Sequence, residues 1–188
     1  MAFSRLRRAA SAVAACLAAA GPLGGCGYED QSRFAPVCPK VAVLADAADV
    51  TVYRPSPTPG GGHDLTDMVL DGRIEGLSGK CARASDTLLA THVTLSMQFS
   101  RGPAATTREM QVPYFIGVFE GDEILDKKVI PIPLVFPPNV DRLALDTQDV
   151  ELDLPISSVK SGAVYTVRVG FQLTPDQLAL NRKRGSRS

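Results

Sequence analysis

The chain has 188 residues, with 20 Lys plus Arg balanced by 20 Asp plus Glu, so its formal net charge is zero. That balance argues against nucleic acid as a partner, which needs a basic footprint. The length suits one domain with short tails, and the absence of tryptophan weighs against carbohydrate processing.

Arg5, Arg7 and Arg8 precede an apolar, alanine-rich run from Ala9 to Leu23. A positive start followed by an apolar run of roughly 15 residues is the signal-peptide pattern. The run is shorter than the ~20 apolar residues of a spanning helix. It ends in Leu23-Gly24-Gly25-Cys26, which resembles the lipobox of bacterial lipoproteins, with Gly24 where Ala or Ser is more usual. The resemblance implies cleavage after Gly25, a diacylglyceryl group on Cys26, and an anchor in the cell envelope. Val13-Ala14-Ala15-Cys16 fits the same pattern. Only about seven apolar residues separate Arg8 from Cys16, the bottom of the usual range. Gly27, and not Asp, follows Cys26. By the enteric retention rule this favours the outer membrane, facing the periplasm, over the inner membrane. Losing residues 1–25 removes three arginines and no acid, so the remaining chain of about 163 residues carries −3.

Residues 27–37 are polar, mixed and without periodicity, a tether. Cys38 and Cys81 are then the two cysteines left, an even pair in an oxidising compartment, which reads as a disulfide. A metal site lacks close Cys or His spacing, and no C-x-x-C suggests a reactive pair. Strands are expected at 41–44, 50–53 and 67–76. In "TLLATHVTLSMQF" Leu89, Val93, Leu95, Met97 and Phe99 alternate with His92, Thr94, Ser96 and Gln98, a half-buried strand. "VPYFIGVF" is apolar on both faces and should lie centrally or under a covering element. Glu120-Gly121-Asp122-Glu123 reads as a hairpin turn into a strand at 124–135. Pro131 and Pro133 remove donors from one side of that strand, so it should be an edge. "DVELDLP" and "AVYTVRVGFQL" repeat the alternation.

Strands of this spacing suggest an all-β sandwich of about 7–9 strands. "LPISSVKSGAVYTVRVGF" resembles the E-to-F region of fibronectin type III and related immunoglobulin-like domains, on Leu154, Gly162, Tyr165, Val167 and Val169. It implies a tyrosine corner at Tyr165. A type III domain needs one further strand after Leu173, and the chain has no room for it. Instead Thr174, Pro175 and Gln177 open a short helix with a capping box, packed through Leu178 and Leu180. Arg182, Lys183 and Arg184 suit its C-terminal end. The organisation is a signal peptide at 1–25, a tether at 26–37, a sandwich at 38–174, and a helix with a basic tail at 175–188.

No catalytic constellation stands out. His92 lies on the polar face of a strand and reads as a surface residue. His63 and Asp64 follow Gly60-Gly61-Gly62 in a Pro- and Gly-rich stretch, a surface loop that could bind a ligand. The order is the reverse of an esterase oxyanion loop, and no G-x-S-x-G accompanies it. Asp141, Asp146, Asp149, Glu151 and Asp153 cluster near a loop at 139–149, where calcium is the alternative to an ordinary solvated face. No cofactor is expected. These features point to a lipid-anchored, non-catalytic envelope module. It would hold the membrane through Cys26 and engage another envelope protein through loops or a sheet edge. The alternative is an envelope hydrolase or carbohydrate-processing enzyme.

Overall fold

Period-two alternation of apolar residues builds two sheets whose inner faces meet. A computed structural model describes residues 35–56 and 62–185. The strands are β1 (Lys40–Val43), β2 (Asp49–Tyr53), β3 (Met68–Ser85), β4 (Leu88–Arg101), β5 (Glu109–Glu120), β6 (Glu123–Val135), β7 (Arg142–Asp146), β8 (Val150–Pro155) and β9 (Tyr165–Phe171). One helix, α1 (Pro175–Arg184), follows. One sheet runs β1-β9-β5-β6 and the other β2-β3-β4-β7, with β8 also paired to β4. The fold is an all-β sandwich.

The alternating residues face as their pattern requires. Leu89, Val93, Leu95, Met97 and Phe99 of β4 are buried, as are Tyr165, Val167, Val169 and Phe171 of β9. Phe99 and Phe171 meet edge to face across the two sheets, with ring centroids 5.8 Å apart. Such a pair contributes roughly 0.5–1.5 kcal/mol beyond its buried area. β6 is an edge strand, as its prolines demand. Pro131 stands directly opposite Pro113 of β5. The Pro113 carbonyl is turned the other way and accepts from the Gln172 amide at 2.9 Å. The two prolines therefore face each other where the ladder between their strands needs no bond.

The tyrosine corner is present. The Tyr165 ring is buried and its hydroxyl donates to the Pro155 carbonyl at 2.5 Å. Gly162 lies in the short 3₁₀ turn just before it. A side chain there would place Cβ 2.2 Å from the Val37 carbonyl oxygen, so the close approach requires glycine. β1 pairs in parallel with β9, Lys40 beside Thr166 through Val43 beside Val169, on the flank of β9 that β5 leaves free.

Three expectations need correction. β3 does not stop at residue 76 but continues to Ser85, with a register shift between Ile74 and Gly76. Gly76 and Gly79 look like strand breakers, yet β4 pairs along the whole length. Gly79 also admits β1: a Cβ there would lie 2.9 Å from Val41. Cys81 therefore sits within β3, not beyond a strand that ends at residue 76, and its disulfide to Cys38 spans a Cα–Cα distance of 5.7 Å. The bond ties the segment entering β1, in one sheet, to β3 in the other. Finally, the acidic stretch 139–149 is not all loop. β7 lies within it, pairing Leu143 with Phe99 and Leu145 with Met97 of β4.

Candidate functional site

β2 is an edge strand, and an open edge carries unpaired backbone groups. The helix α1 covers it with side chains. Gln177, Asn181 and Arg184 are spaced i, i+4 and i+7, so they share one helix face. The Asn181 amide donates to the carbonyls of Asp46 at 2.9 Å and Asp49 at 2.7 Å. That of Gln177 donates to the Thr51 carbonyl at 3.4 Å. Arg184 donates to the Thr51 hydroxyl at 3.1 Å and the Tyr53 hydroxyl at 2.5 Å. Arg182 pairs with Asp46. Asn181 is the buried residue of this helix, whereas Leu178 and Leu180 are only half-buried. The hydrogen bonds of the docked helix come from this polar stripe, beside which the two leucines pack only in part. The capping box is formed: the Thr174 amide donates to Gln177 at 2.9 Å, and the Gln177 amide donates to the Thr174 hydroxyl at 3.3 Å.

Beside this contact a pocket of about 480 Å³ opens between β2, the loop at Gly62–His63 and α1. Its size is within the range of small-ligand sites. The His63 imidazole stacks on the Tyr53 ring, centroids 4.7 Å apart and planes 5° from parallel. Lys183 and Arg184 line the pocket from the end of the helix, and Asp176 from its start. His63 is therefore brought to a concavity by a partner ten residues upstream. Asp64 is not. Its carboxylate accepts from the Thr66 amide at 2.7 Å and the Thr66 hydroxyl at 2.6 Å, capping the 3₁₀ turn Leu65–Asp67. The Thr66 hydroxyl bond is the main reason that the Asp64 carboxyl is held below the usual carboxylate range. Asp67 of the same turn binds Arg54 at 2.6 Å.

His92 is a surface residue, though not a bare one. Its Nδ1 lies 2.7 Å from Asp149. The residues opposite it on the neighbouring strands are Lys80 and Glu151. A base with an orienting carboxylate can shuttle a proton, but neither of those neighbours is a hydroxyl or thiol nucleophile. The acids of 139–153 are engaged separately: Asp141 with Arg101 and Arg108, Asp146 with the Ser96 hydroxyl at 2.6 Å, and Asp149 with His92. Among the described residues no group of three or more His, Cys, Asp or Glu could hold a metal ion.

A second surface stands out. "VPYFIGVF" is central, between β9 and β6, and buries Val112, Tyr114, Ile116 and Val118. Phe115 and Phe119 point the other way and stay half-buried. Val129 stands opposite Phe115, and Ile124 opposite Phe119. Val129, Ile124 and Val135 are 50%, 59% and 62% exposed, so the β6 half of this outer face is apolar and open. Lys127 lies over the Phe115 ring at 4.8 Å, and Arg168 over the Phe119 ring at 5.0 Å. Both cations stand opposite Gly117, one on each side.

Cys26, the residues up to Phe34, the glycines Gly60 and Gly61, and the last three residues lie outside the described residues. Comparison with protein-family models, with curated proteins and with solved structures finds no match to this chain.

Proposed function

We propose that this protein is a lipid-anchored, non-catalytic module of the bacterial cell envelope. It is tethered through Cys26, at the outer membrane facing the periplasm, and its sandwich engages another envelope protein. The observation that carries the engagement is the outer face of β5 and β6. An apolar face left open on a sheet points to an interaction surface. Its occupant is a protein patch that is apolar at the centre and acidic at the rim. Lys127 and Arg168 flank the two phenylalanines, and Lys40 continues the same side of the sheet beside Thr166. The acid in line with them, Glu109, stands at the far end opposite Val135. Pro131 and Pro133 remove the donors that strand addition would use there, so contact is through the face and not the edge.

The disulfide supports the envelope address, because such bonds persist in oxidising compartments. It also suits a tethered protein. A pull arriving from the tether meets a covalent bond at Cys38 before it reaches the four residues of β1.

The test is a photo-crosslinking residue placed at Val129 in the native host, with Val159, a 95% exposed loop residue, as control. The expected outcome is one discrete crosslinked protein from Val129 and none from Val159, lost when Lys127→Glu and Arg168→Glu are combined. Equal crosslinking from both positions overturns the face as the interface. An unmodified mature N-terminus in mass spectrometry overturns the anchor.

A further inference from the structure

The pocket under α1 is far from needed for holding the helix, since Gln177, Asn181 and Arg182 already fix it to β2 and the preceding turn. What remains is an unusual combination of groups. Lys183 lines the pocket and has no ion-pair partner among the described residues. Arg184 also lines it, and its direct partners are two neutral hydroxyls, those of Thr51 and Tyr53. The nearest acid in that chain of bonds is Asp71, one hydroxyl further away, to which Thr51 donates at 2.9 Å. The carboxylate on the lining, Asp176, belongs to the first turn of the helix, while both cations belong to its last. The flat, exposed imidazole of His63, stacked on Tyr53, lines the same pocket as the two cations.

The geometry points to a binding site for a small anionic group, a carboxylate or phosphate, attached to a body that can lie against the His63 ring. Lys183 supplies a point charge, and Arg184 supplies guanidinium edges already oriented by Thr51 and Tyr53. Pre-orientation reduces the ordering that binding would otherwise demand. Val52 and Leu180, also on the lining, offer the uncharged part of the ligand an apolar contact. The same chemistry is offered by a soluble anion and by a phospholipid headgroup, and the proposal is independent of what docks on the β5–β6 face.

The experiment uses the mature-length chain with Cys26→Ala, so that no acyl group confuses the membrane arm. Citrate and inorganic phosphate are titrated while the His63 ring and Lys183 side-chain NMR signals are followed. In a parallel arm the protein is sedimented with phosphatidylglycerol vesicles and with phosphatidylcholine vesicles. The site predicts saturable shifts at His63 and Lys183 with at least one anion, or sedimentation with the anionic vesicles alone; which arm responds identifies the source. Lys183→Gln, a change at an exposed residue, should weaken the responding arm at least fivefold, and His63→Ala should weaken it too. Lys80→Gln, the same charge change on the outer side of β3, should leave it unaltered. No response in either arm, with anion raised to about 10 mM, above the range of roughly 1 μM to 1 mM typical of KM for small substrates, overturns the proposal. So does a loss with Lys80→Gln equal to that with Lys183→Gln, because binding would then be non-specific charge attraction.

Discussion

The hydroxyl of Tyr165 donates to the carbonyl oxygen of Pro155 at 2.5 Å, joining the first residue of β9 to the last of β8. The ring itself is 1% exposed, so the bond and the burial are separable contributions. Tyr165→Phe keeps the ring and deletes the bond. Pro155 is exposed, so its freed carbonyl can turn to water and the loss stays near the lower end for a hydrogen bond, about 1 kcal/mol. Chemical denaturation should show that decrease with an unchanged slope. Tyr165→Ala adds a core cavity, and its cost should reach about 3–5 kcal/mol, the range for deleting a large aromatic. If Tyr165→Phe is as damaging as Tyr165→Ala, the corner bond matters more than this geometry allows.

That corner was legible because its signals are local. Tyr165, Val167 and Val169 announce a strand by alternation, and Gly162 precedes them at a fixed short distance. β7 was less visible. Leu143 and Leu145 do alternate, but the surrounding acids gave the segment the appearance of a solvated loop. The far half of β3 is hidden in the sequence, since Gly76 and Gly79 weaken a strand, and the reason they are tolerated lies in other strands. The parallel seat of β1 beside β9 could not be read at all, since four residues carry no information about direction. The pocket was half legible. The loop at His63 and Asp64 is marked by its glycines, but the partners Tyr53, Lys183 and Arg184 come from both ends of the domain. Nothing in the helix sequence distinguishes Asn181 as the residue that is buried.

Asn181 provides a second test. Its amide holds two carbonyls, those of Asp46 and Asp49, and the residue is 9% exposed. Asn181→Ala removes both bonds and leaves acceptors that are partly shielded from water. The expected loss is about 1–3 kcal/mol. Hydrogen exchange should locate it, with faster exchange in α1 and β2 and little change in β5 or β9. Uniform acceleration across the sandwich would mean that α1 is integral to the core and not a cover on the β2 edge.

A third outcome concerns acid. The Asp64 carboxyl is held below its ordinary value of 3.8, first by the Thr66 hydroxyl and then by the Thr66 amide. A carboxyl depressed in the folded state contributes stability that is present above the unfolded value and is lost as pH falls through the folded one. The cap on Leu65–Asp67 should therefore stay intact from neutral pH down to about 4 and open only in stronger acid. The Thr66 amide resonance reports this directly. Its titration midpoint should lie below 3.8, and a midpoint above that value would contradict the capping role.

The last prediction is about Cys38 and Cys81, separated by 43 residues in sequence. Closing a loop of that length restricts the unfolded chain, and the chain-entropy relation gives about 4 kcal/mol. A domain has about 5–15 kcal/mol in all, so this bond is a large share of it. The native contacts it guards are few. β1 has four residues and pairs along one flank only, with β9, and its Val41 packs where β3 carries Gly79. Without the bond, β1 should leave first, and the flank of β9 from Thr166 to Val169 becomes an open edge. The double variant Cys38→Ser, Cys81→Ser should melt about 10 °C lower, at a few degrees per kcal/mol for a domain of this size. It should also lose amide protection in β9 before β4, and aggregate more readily, because an exposed edge pairs with other chains. Reduction of the wild type should reproduce all three effects. A variant that melts like wild type would show the β1 seat to be secure without the staple. Protection lost first in β4 would place the weak point elsewhere in the sandwich.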